Sequence, residues 1–194
     1  MVKVVLYPVN LAKEETLASI NDKFPSLVDG KIPVNQVASV SSSAGFTRLA
    51  NTTPYSAKDV MTDSAHQAME FANISPVAGA AIDILNVILI SSNPTTSPGA
   101  FALLLFDATQ NLATDNSAYA PSDEDIAKIV GVINFDGVRY TENNTIYYPA
   151  SFGHLYVKPA AGSTSLYGVL ISTSAYTPAS GEKFDIKLFG EMVR

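Results

Sequence analysis

The sequence has no cysteine and no tryptophan, and it has only two histidines, His66 and His154. Without cysteine there is no disulfide frame, no thiolate zinc site and no cysteine nucleophile. Two histidines cannot build a multi-histidine metal site within one chain. Carbohydrate binding needs aromatic platforms, and without tryptophan these must come largely from the nine tyrosines. Charge is also scarce, at 15% of the residues, against about 25% in a typical soluble domain. Acids outnumber bases 18 to 12, for a net charge of -6. Residues 1–45 hold four lysines and four acids, so the remainder carries the whole excess. No basic patch results, which argues against nucleic acid and against an anionic membrane surface as partners. The longest apolar runs, "ILNVILI" and "AFALLLF", are far too short to span a bilayer. "MVKVVLYPVN" lacks the form of a secretory signal, so the expectation is a soluble chain made in a cytoplasm.

What is present is apolar and hydroxyl-rich. Hydrophobic residues make up 47% of the 194, enough for a substantial core. Serine, threonine, asparagine, glycine and proline supply most of the remaining polarity. Such a surface suits packing against other protein, and it equally suits an ordinary β-rich domain.

Two parts are expected, 1–45 and 46–194. The first opens with the β-rich "VKVVLYPV", followed by the helix formers of "AKEETLASINDKF". Leu11, Leu17, Ile20 and Phe24 give a narrow apolar stripe there, which Pro25 ends. The extended "SLVDGKIPV" follows, and then the small-residue stretch "NQVASVSSSAG", read as a linker with the boundary near Ser41 to Gly45. This arm has too few apolar residues to form a core alone. From Phe46 onward, short apolar runs alternate with turn-forming clusters such as "SSNPTTSPG" and "YTPASGE". That rhythm predicts a mainly β fold, an antiparallel β-sandwich. "KFDIKLF" alternates, with Phe184, Ile186 and Leu188 predicted inward. "AFALLLF" and "ILNVILI" are continuous, so both of their faces should be covered, as at the middle of a two-sheet sandwich or where a second subunit packs. "PSDEDIAKIV" predicts a short helix over 122–128 that runs into the strand "IVGVINF".

No arrangement of residues names a catalytic, cofactor-binding or metal-binding site. There is no GxSxG elbow and no phosphate-cradling glycine motif. Asp123, Glu124 and Asp125 suit the first turn of a helix. Asp107, Asp115, Asn116, Asp123 and Asp125 could offer oxygen ligands, but they lack EF-hand order, and turn formation accounts for them equally well. His66 and His154 read as turn and strand-edge residues. For glycan binding the candidate platforms are Tyr119, Tyr140, Tyr147 and Tyr148. Tyr147 and Tyr148 are adjacent, so in a strand only one of them can face a ligand.

Two stretches carry a resemblance. Ala12, Glu14, Thr16, Leu17, Ile20, Lys23, Pro25, Leu27, Gly30, Pro33 and Val34 follow a phrase that resembles a segment of tailed-bacteriophage structural proteins. Phe46, Arg48, Tyr55, Asp59 and Val60 resemble the opening of virion β-domains, and Leu166, Tyr167, Tyr176 and Pro178 resemble their closing part. The resemblance implies a virion structural protein similar to capsid decoration or cement proteins, without enzymatic activity and without a cofactor. It implies a jelly-roll-like sandwich on the capsid exterior, with the N-terminal arm as anchor. The partners would be the major capsid protein and neighbouring copies of the chain, with a trimer expected. The side chains buried on docking would be Leu17, Ile20, Phe24, Leu27, Val28, Ile32 and Val34. Each is worth roughly 1.5–3 kcal/mol when covered, before the cost of ordering the arm. The alternative is a head-fibre or tail-associated protein that binds a host-surface glycan.

Overall fold

A computed structural model describes residues 38–94 and 97–193. The arm residues Leu17, Ile20, Phe24, Leu27, Val28, Ile32 and Val34 lie outside the described residues. Eleven strands and one short helix follow in chain order: β1 (Ser39–Thr47), β2 (Val60–Met61), β3 (Met69–Phe71), β4 (Ile82–Ser91), β5 (Phe101–Phe106), α1 (Asp123–Ile126), β6 (Ile129–Phe135), β7 (Gly137–Tyr140), β8 (Thr145–Tyr148), β9 (Leu155–Val157), β10 (Leu166–Ser172) and β11 (Lys183–Met192).

All pairings are antiparallel and form two sheets. One runs β1-β11-β4-β8-β7, with β9 beside β8 on the same flank of β4. The other runs β2-β10-β5-β6, with β3 beside β2 on β10. If β2 and β3 are taken as one broken strand, and β8 and β9 as one position on β4, the second sheet has four places, and the first has four plus the added edge strand β7. The chain alternates between the sheets except at the paired neighbours β5–β6 and β7–β8. This is the order of a jelly roll, two sheets built from interleaved Greek keys.

The core lies between the sheets. Phe184, Ile186 and Leu188 of β11 are fully buried, as their alternation predicts. Val87 and Leu89 of β4 and Phe101, Leu103 and Leu105 of β5 meet them there. The Phe101 ring sits edge-on to Tyr147, Tyr176 and Phe184, at centroid distances of 4.9, 5.2 and 5.7 Å, which tie the two layers at one end.

A second, smaller core covers the far face of the β2-β10-β5-β6 sheet. Val60, Phe106 and Val169 are buried there, with Leu112, Tyr119 and Ile129 packed on them. The cover comes from the connection between β5 and β6. Its backbone bonds back to the start of the domain: Leu112 N to His66 O at 2.8 Å, Asn116 N to Val60 O at 3.0 Å, and Tyr119 N to Lys58 O at 2.8 Å. The continuous run of β5 is therefore covered on both faces. The connection ends in α1, where Ser122 and Asp125 form a reciprocal capping box.

The opposite sheet departs from expectation at β1, and at β4 the described residues cover one face of the apolar run. Residues 39–45, read as part of a linker, belong to β1, which pairs with β11 without a break from Ser39↔Glu191 to Thr47↔Lys183. Nine residues of ladder fix this strand although serine, alanine and glycine have little preference for it. The run "ILNVILI" in β4 is covered on its inner face only. Its outward residues Ile88 and Ile90 are partly exposed, and Leu85 is 41% exposed. Leu85 is the extra residue of a bulge, where Phe189 pairs with Asn86 and Gly190 with Ile84. Gly190 is required at this point, because a Cβ would collide with the Asp83 carbonyl.

Candidate functional site

Two buried polar networks hold several of the buried ionisable side chains, and both read as architecture. In the first, Asp115 lies on the covering connection. It accepts from Arg48 Nη2 at 3.0 Å, from Tyr55 Oη at 2.6 Å and from Thr62 N at 3.1 Å. Arg48 is 3% exposed, with its guanidinium carbon 4.6 Å from the centroid of the Tyr55 ring, and its Nε donates to the Tyr55 hydroxyl. Burial, and then the hydrogen bond to Asp115, raise the Tyr55 phenol well above its ordinary value. Asp59 caps the adjoining turn by accepting from Ser56 N at 2.6 Å. Arg48, Tyr55, Asp59 and Val60, four residues of the resemblance pattern, thus pin the covering connection to the sandwich.

The second network surrounds Glu182, which is 1% exposed. Its carboxylate accepts from Tyr176 Oη at 2.7 and 2.9 Å, from Ala179 N at 2.9 Å, and from the Ser91 hydroxyl. Asn93 Nδ2 donates to Tyr176 Oη at 3.2 Å. Burial, and then the hydrogen bond to Glu182, raise the Tyr176 phenol. The oxygen ligands weighed for a cation are dispersed or committed. Asp115 is held by Arg48, Asp125 closes the helix cap, and among the described residues no three metal-ligating side chains converge.

The surface that remains for function is the outward face of the β1-β11-β4-β8-β7 sheet. Strand register places Ile90 between Asp185 and Ile146, and Ile88 beside Lys187. The alternation of β8 puts Tyr148 on this face, next to Ile146. Phe189, 38% exposed, and the bulged Leu85 extend the apolar area. Its border is polar: β1 contributes Ser39, Ser41 and Ser43, and Arg139 pairs beside Ile146. An apolar centre inside a polar rim is the anatomy of a protein interface.

The four tyrosines considered as glycan platforms do not share one surface. Tyr147 is core, 1% exposed, and burial raises its phenol above the ordinary value. Tyr119 packs in the second core, where burial and then Asp125 push its phenol up to about 12. Tyr148 is half-buried on the outward sheet face, and Tyr140 is 50% exposed at the end of the edge strand β7. The most exposed large apolar side chain among the described residues is Tyr156, at 63%. Its ring lies 13° from parallel to that of His154, with centroids 6.1 Å apart. His154 Nδ1 is 2.6 Å from Asp83 Oδ2. The sequence gives little sign of this grouping, because "HLYV" does not reveal which residue of a three-residue strand faces out. His66 sits in a turn at φ +52.

Neither a family model nor a curated protein sequence matches the chain.

Proposed function

We propose that the chain is a non-enzymatic structural protein of a tailed-phage particle, a decoration or cement protein that binds and stabilises the capsid shell. Its outward sheet face and its N-terminal arm would supply the contacts, with the major capsid protein and further copies of the chain as partners. The observation that carries this reading is the apolar centre formed by Ile88, Ile90, Ile146 and Tyr148, with Leu85 and Phe189 beside it. The other sheet is covered on its far face by the chain's own β5–β6 connection. This one keeps a polar-rimmed apolar face toward solvent, as a subunit that packs on a neighbour requires. Jelly rolls build viral shells as well as lectins and cupins, so the fold permits the reading and the surface supports it. The likeness of the N-terminal phrase to virion segments supports it further.

The test is co-sedimentation of the purified chain with shells that lack it, comparing wild type with Ile88→Glu. Ile88 is already partly exposed and lies beside Lys187. A glutamate there gains a cross-strand partner, so the change should cost the isolated domain no more than about 1 kcal/mol. The expected result is an unchanged fold with shell binding lost. Binding equal to wild type would refute the role of this face.

A further inference from the structure

We propose that Tyr156, His154 and Asp83 form an open shelf that binds a sugar ring. Tyr156 of β9 pairs directly with Asp83 of β4, so the two side chains emerge side by side on the outward face. His154 lies two residues before Tyr156, with its ring nearly parallel to the tyrosine ring. One exposed tyrosine is ordinary. Asp83 is what sets the place apart. It is 3% exposed, its one side-chain hydrogen-bonding partner among the described residues is the His154 imidazole, and its Oδ1 is buried with no partner there. Buried polar atoms without partners are rare and point to a function or to a missing ligand.

The pair fixes the chemistry of the imidazole. A carboxylate only accepts, so Nδ1–H donates to Asp83, and in the neutral imidazole Nε2 is left as the acceptor. The His154 side chain is 63% exposed, so Nε2 is open to a ligand. The site thus offers a bare aromatic face with an oriented acceptor next to it. A sugar ring matches both: its C–H face lies on Tyr156 while a hydroxyl donates to Nε2. Asp83 acts as a positioning residue, holding the imidazole through its Oδ2. An anionic ligand would meet Asp83 together with Glu191, which pairs with it on β11. A cleft of about 380 Å³ adjoins Tyr156, lined also by Ala81, Val130, Val157 and Lys158. It can take a ring substituent, and Lys158 supplies a donor there. Tyr156 is 63% exposed, so a ring within a polysaccharide and a terminal ring are both candidates for the shelf.

The experiment is an NMR titration of the full chain with glucose, galactose, mannose and N-acetylglucosamine, and with oligosaccharides of each. The expected result is saturable binding, with a Kd on the order of 1 mM for one stacked ring and one or two hydrogen bonds. Tyr156→Ala should weaken it about tenfold or more, and Tyr156→Phe should retain it. Because Tyr156 is exposed, both variants keep the fold, which the same spectra report. Binding of the free sugars assigns a terminal ring, and binding of the oligomers alone assigns an internal one. No saturable binding by any of these probes, or binding unchanged in Tyr156→Ala, overturns the proposal. The titration needs no phage particle, so its outcome is independent of the capsid role.

Discussion

Removing the Asp115 carboxylate should loosen the whole cover of the second core. The side chain of Arg48 is wholly buried and that of Asp115 nearly so, and they form an ion pair at 3.0 Å. In Asp115→Ala the guanidinium stays buried with, among the described residues, Asn51 and the Tyr55 hydroxyl as its remaining acceptors, the Asn51 contacts being long at 3.3 and 3.4 Å. Tyr55 Oη and Thr62 N lose their acceptor in the same change. Breaking a buried pair by deleting one partner costs about 3–5 kcal/mol, most of it the uncompensated charge. Urea unfolding would measure this as a fall in the midpoint. Because Asp115 holds the connection over Val60, Phe106 and Val169, the variant should also bind a hydrophobic dye before it unfolds. The control is Arg48→Met combined with Asp115→Leu, which removes both charges and should cost less than the single change by roughly 1–2 kcal/mol. A loss under about 1 kcal/mol in Asp115→Ala, or a double variant as unstable as the sum of its parts, would refute the reasoning.

Other consequences follow from the same packing. Tyr55, Tyr147 and Tyr176 are raised above the usual phenol value of 10.0, chiefly by burial. A raised folded value gives stability that is complete below pH 10 and lost as pH climbs through the alkaline range, by up to about 1.4 kcal/mol per pH unit for each tyrosine. Urea midpoints followed from about pH 8 to about pH 11 should stay level and then fall; a level profile throughout would contradict the burial argument. Gly190→Ala drives a methyl into the Asp83 carbonyl at the β4–β11 bulge, and should cost about 2 kcal/mol or more in thermal unfolding. A melting point equal to wild type would show that the bulge yields more easily than its geometry suggests.

The elements legible in the sequence are those whose side-chain pattern acts locally. The alternation of residues 184–188 marks the inner face of β11, and Ser122 with Asp125 announces the capped turn of α1. β1 was illegible because "SVSSSAG" has the composition of a loop. Only the β11 ladder, some 140 residues away in the chain, makes it a strand. The outward face of β4 was ambiguous for a related reason. A continuous apolar run signals cover on both sides, yet it cannot say whether that cover comes from the same chain or from a neighbour. The Arg48–Tyr55–Asp115 cluster joins residues up to 67 apart, and its acid looked like one more turn residue. Asp83 and Tyr156 meet only through the β4–β9 register, which no local pattern encodes.

The proposed role places this protein in the shell of a particle. The direct measurement is its copy number relative to the major capsid protein, by quantitative mass spectrometry of purified particles. A cement role predicts a ratio near one or a simple fraction of one, as the symmetry of a covered shell requires. A ratio far below that, or absence from the particle, would contradict it.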